Sequence, residues 1–68
     1  MLKITFKEPQ AIIQHGMLQI CLICFPVFVE TTLDGKYTHL WFSYNQGDSD
    51  FVKTNTIESS TPINPNEL

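Results

Sequence analysis

Charge is scarce in this chain of 68 residues, and positive charge is scarcest. Only 16% of its residues are charged, against about 25% in a typical globular domain. Four Lys+Arg stand against seven Asp+Glu, for a net charge of −3. Four cations cannot build the broad basic face of a dedicated nucleic-acid binder. Seven carboxylates are too sparse for a mimic of DNA, and they serve ordinary solubility. Cysteine is also scarce. Two residues, Cys21 and Cys24, do not make the disulfide framework of a small secreted scaffold, and they fit free thiols in a reducing cytoplasm. The main apolar run, residues 17–29, is roughly 13 residues long and falls short of the roughly 20 that a membrane-spanning helix needs. It contains Gln19 and Pro26, lies away from the N-terminus and has no cleavage site after it, so neither a signal peptide nor membrane insertion is expected. Glycine-rich phosphate loops, metalloprotease helices, calcium loops and nucleophile elbows are missing as well.

The hydrophobic residues that are present, 43% of the chain, carry a strand pattern. Leu2, Ile4 and Phe6 alternate with Lys3, Thr5 and Lys7, a period of two that Glu8-Pro9 interrupts. Residues 10–24 admit two readings. Pro9 could open a buried helix. Gly16 and four isoleucines favour strands instead, with His15-Gly16 as a two-residue hairpin turn. That turn would pair Ile13 with Leu18 and Ala11 with Ile20. Leu18, Ile20, Leu22 and Cys24 then share one apolar face. Pro26 marks a bend at which the chain can pass from one sheet to another.

Asp34-Gly35 between two β-rich runs predicts a type I′ hairpin turn and fixes a register. Thr31 then faces Thr38, Glu30 faces His39, Val29 faces Leu40, Phe28 faces Trp41 and Val27 faces Phe42. Val27, Val29, Leu40 and Phe42 fall on one face, assigned to the core. Phe28, Glu30, Thr32, Tyr37, His39 and Trp41 fall on the other. Residues 45–50 read as a second turn, and residues 51–57 as a last edge strand that Lys53 helps protect. The expected fold is all-β, a small antiparallel meander closing into a barrel or compact sandwich. The alternative is α+β, with a helix at about residues 9–23 packed on a three-stranded antiparallel sheet. One domain is expected over residues 1–57, followed by a mobile polar tail at 58–68.

No catalytic, cofactor or metal constellation assembles. A redox CxxC needs an exposed thiolate, yet Leu22 and Ile23 fill the middle of this one. Residues three apart in a strand also point to opposite faces, which opposes a disulfide. A zinc site could recruit His15 and His39, but the usual second half-site is missing. Glu30 and His39 form a cross-strand pair without a cleft or a nucleophile in reach. The aromatic residues say more. One sheet face is already supplied to the core, so Phe28, Tyr37 and Trp41 need a second cover. Trp and Tyr are favoured at protein interfaces because they join area to a polar handle. The expectation is a non-enzymatic protein-binding module without cofactor, using Phe28, Glu30, Tyr37, His39 and Trp41, and homodimeric. It fits the small accessory or inhibitory proteins of phages and mobile elements. The alternative is single-stranded nucleic acid stacked on the same aromatics. Lys36 is the one cation expected near them.

Overall fold

A computed structural model describes residues 1–43 and 48–64. Six strands run in the order β1 (Leu2–Gln14), β2 (Met17–Cys24), β3 (Phe28–Thr31), β4 (Tyr37–Trp41), β5 (Ser49–Lys53) and β6 (Ile57–Pro62), with a short 3-10 turn at Thr54–Thr56 before the last. They pair into two three-stranded antiparallel sheets, β2-β1-β6 and β3-β4-β5. The all-β reading holds, and the helix alternative at residues 9–23 does not. That segment is the end of β1, a turn, and most of β2. Its β-branched residues and the glycine at the turn outweigh the helix start that Pro9 could have given. Among the described residues no helix is long and apolar enough to cross a membrane.

Leu2, Ile4 and Phe6 point inward as their alternation requires, with Ile4 and Phe6 fully buried and Lys3 exposed. They meet Ile12, Cys24, Leu40, Phe42 and Val52 in one core that both sheets share. Pro26, buried at the crossing, carries the chain from the first sheet to the second. Its carbonyl accepts the Leu2 N–H at 2.9 Å, and the next N–H, of Val27, donates to Trp41 O at 2.7 Å. The bend inferred from Pro26 is therefore the passage between sheets.

Both hairpins have the expected registers, but the turn chemistry is exchanged between them. At residues 15–16 the pairs Ala11↔Ile20, Ile13↔Leu18 and Gln14↔Met17 form. His15 (φ 52°) and Gly16 (φ 75°) both take the positive φ of a type I′ turn. The second hairpin pairs Phe28↔Trp41, Val29↔Leu40, Glu30↔His39 and Thr31↔Thr38. Here only Gly35 has positive φ, at 74°. Asp34 closes the turn with its side chain instead, accepting from Thr32 Oγ1 at 2.6 Å and from Lys36 N–H at 3.0 Å. Gly35 N–H donates to Thr32 O and Thr32 N–H to Tyr37 O, both at 2.9 Å. The type I′ assignment at Asp34-Gly35 is thus corrected, while the register it implied stands. An aspartate that satisfies the turn locally removes the need for a second left-handed residue.

Three further expectations change. The last strand is split. β5 ends at Lys53, and β6 pairs with β1 through Leu2↔Pro62, Ile4↔Ser60 and Phe6↔Ile57. Residues 58–62, assigned to the tail, are therefore strand, because the central β1 offers a free edge that backbone alone can fill. The turn expected at 45–50 gives way to β5 at Ser49, and residues 44–47 and 65–68 lie outside the described ones. The faces of β2 also differ. Leu18, Ile20 and Leu22 are exposed, whereas Cys24 is buried in the core. The cause is a bulge. Thr5 pairs with Ile23 but Gln10 pairs with Cys21, so β1 spends three extra residues around Pro9 and reverses the alternation of β2. Ile4 and Cys24 face the core at one end, and Ile12, with Cys21, at the other.

Candidate aromatic interface on the second sheet

The β3-β4-β5 sheet presents one face to the core through Thr38, Leu40 and Val52, all buried. Strand alternation puts Tyr37, His39 and Trp41 of β4 on its outer face. The pairs Tyr37↔Lys53, His39↔Phe51 and Trp41↔Ser49 bring β5 residues beside them. From β3 come Phe28 and Glu30. The inner Thr38 hydroxyl has its own partner in Thr54 Oγ1 at 2.9 Å, so the core side of β4 is satisfied without the outer face.

Four rings form a continuous run across this face. Phe28 stacks on Trp41 with centroids 5.5 Å apart and planes 11° off parallel. His39 lies 4.1 Å from Trp41, tilted by 36°. His39 also stacks on Phe51 at 4.1 Å and 19°. Stacks at these separations hold the rings rigid and add a fraction of a kcal/mol up to about 1.5 kcal/mol per pair. Phe28, His39 and Trp41 are half-buried, whereas Tyr37 and Phe51 remain exposed. Trp41 Nε1 is shielded from solvent yet makes no hydrogen bond among the described residues. A shielded indole N–H without an acceptor costs about 1–3 kcal/mol.

The five residues expected to form a site, Phe28, Glu30, Tyr37, His39 and Trp41, are brought onto one face. Two features of that face were not foreseen. Phe51 completes the run of rings, and Lys53 joins Lys36 and Tyr37 around a shallow depression that Gly35 and Asn55 also line. The register of the Asp34-Gly35 hairpin reaches β3 and β4 only. Placing β5 beside them would have required the geometry of residues 44–48. Glu30 and His39 face each other, but His39 is engaged by two rings and no ion pair joins it to Glu30. His15, the other histidine weighed for metal, sits at the β1–β2 turn with its Nδ1 2.7 Å from Asp48 Oδ2. Among the described residues no three His, Cys, Asp or Glu side chains converge on one point.

Both cysteines are free. The expectation that they point to opposite faces fails, since Cys21 packs against the core in which Cys24 is buried. Burial, and secondarily the neighbouring Cys21, push the Cys24 thiol up to about 12. It is a hydrophobic core residue and a poor nucleophile. Comparison with protein-family models, curated proteins and solved structures finds no match.

Proposed function

We propose that this chain is a non-enzymatic protein-binding module whose docking surface is the outer face of the β3-β4-β5 sheet. One observation carries the reading. A run of four rings in mutual contact crosses one sheet face, open to solvent at its Phe51 end, and among the described residues the Trp41 indole N–H has no acceptor. Such a surface gives up little conformational entropy on binding, and aromatic anchors of this kind dominate interface energetics. Glu30 and Tyr37 form a polar and amphipathic rim around it. On this reading the chain is an accessory or inhibitory protein that works in the cytoplasm by occupying another protein's surface.

A second reading rests on Lys36 and Lys53 beside Tyr37. Stacking rings next to two cations could hold a short single strand of nucleic acid. Glu30 and Asp34 weaken the field there, so the protein partner is preferred.

The test is capture from cell lysate with the wild type, Trp41→Ala and Phe51→Ala, each first shown to be folded by circular dichroism. A partner retained by the wild type and lost by both variants supports the reading. A partner retained equally by all three would overturn it. Titration of a labelled oligonucleotide at two salt concentrations decides the second reading, because phosphate contacts weaken steeply as salt rises.

A further inference from the structure

The β1–β2 hairpin extends as an arm beyond β6, whose pairing with β1 ends at Phe6. One side of the arm packs inward through Ile12 and Cys21. The other side carries Ala11, Ile13, Leu18 and Ile20 in cross-strand pairs, with Leu22 next in line. These side chains lie in the open. Ile20 is 71% exposed, Leu18 68%, Ile13 52% and Leu22 48%.

We propose that a second copy of this chain covers this face, the two arms packing face to face about a twofold axis near Ile20. Three observations select that occupant. The first is area. With Ile23 at one end, the apolar surface is on the order of 500 Å², which with a polar rim approaches the roughly 800 Å² that each partner gives a standard interface. The second is charge. β2 (Met17–Cys24) contains no charged residue. A membrane surface recruits apolar patches with a rim of Lys or Arg, whereas the arm's single Lys7 is offset by Glu8 beside it. An uncharged, purely aliphatic face is instead complementary to itself, as a twofold contact requires. The third is the edge. β2 is an outer strand of its sheet and carries neither lysine, proline nor bulged backbone of its own to keep other β-chains away. The edge strand β5 of the other sheet does carry such a guard, Lys53. The arm is thus the place where the fold leaves association with another β arm unopposed.

This proposal does not depend on the aromatic face, and one set of samples keeps the two apart. Sedimentation of the full chain at concentrations from about 1 to about 100 μM should show a dimer with micromolar or tighter affinity. Ile20→Lys and Leu18→Lys replace exposed side chains, so they should keep the wild-type circular dichroism and yet dimerise at least about 100-fold more weakly. Trp41→Ala should remain a dimer. A wild type that is monomeric throughout overturns the proposal. So does a dimer that Trp41→Ala dissociates and Ile20→Lys does not, which would put the twofold axis on the aromatic face. A monomer that co-sediments with phosphatidylcholine vesicles overturns it in favour of a lipid surface. Loss of lysate capture in Trp41→Ala speaks only to the aromatic face.

Discussion

Two side chains show how position, more than residue type, sets behaviour. Cys24 and Cys21 are three residues apart, but only Cys24 is fully enclosed, with its thiol pushed up to about 12 by burial. In the native protein at mildly alkaline pH, a thiol reagent should therefore modify Cys21 well before Cys24, and both at similar rates once the chain is denatured. The same burial has a consequence for stability. The unfolded thiol titrates near 9.0, so between that pH and about 12 the unfolded chain loses a proton that the folded chain keeps. This contribution is intact below pH 9.0 and is lost as pH rises. Melting temperature should fall across that window in the wild type and fall less in Cys24→Ala, once its lower baseline is subtracted. Asp34 has the opposite sign. The Thr32 hydroxyl, and then the Lys36 N–H, hold its carboxyl below the usual 3.8. Its contribution is present above that pH and lost as acid protonates the folded carboxylate. Asp34→Asn should flatten the acid limb of the melting curve by a small amount, since the site is open to solvent and screened.

At the scale of elements, the two turns reach the same end by different chemistry. The turn at residues 15–16 holds two residues at positive φ, and the neighbouring strand secures it. Asp48 accepts the His15 N–H at 2.7 Å, and Asp50 accepts the Ile13 N–H at 2.9 Å. Gly16 has open space around its α-carbon but a φ of +75°. Gly16→Ala should thus cost about 1–2 kcal/mol through backbone strain alone, read as a shift in the urea midpoint with unchanged slope. The strand pairing of both hairpins was legible in the sequence because a two-residue period and a short turn leave only one register that sorts the side chains. The inner and outer sides of β2 were not legible. They depend on how many residues β1 spends around Pro9, and a proline marks an irregularity without giving its size. β6 was hidden for another reason. Ser59, Ser60 and Thr61 have no hydrophobic alternation, and they join the sheet through main-chain hydrogen bonds to a strand more than fifty residues earlier. The aromatic face was legible in its β3 and β4 members, which share a hairpin, and not in Phe51 or Lys53, which reach it from a separate strand.

The whole molecule rests on a narrow core. Its core cluster is Ile4, Phe6, Ile12, Cys24, Leu40, Phe42 and Val52, and a domain of this size has a net stability on the order of a few kcal/mol. Truncating a core phenylalanine costs about 3–5 kcal/mol. Phe6→Ala should therefore leave little folded protein by circular dichroism at 37 °C. Trp41 is larger than Phe6 but sits on an outer face, so Trp41→Ala should stay folded and lose partner affinity. The contrast separates a residue that holds the fold from one that uses it. The bulge near Pro9 bears on the molecule at this scale too. It acts as a phase shifter for everything beyond it. An arm carrying Leu18, Ile20 and Leu22 in alternation has the makings of an interior face, and the extra residues on β1 rotate that face outward. Deleting one residue from 7–9 would bring the arm back into phase and turn those side chains toward the core. The length of one short stretch thus decides whether this protein keeps its aliphatic stripe for itself or shows it to others.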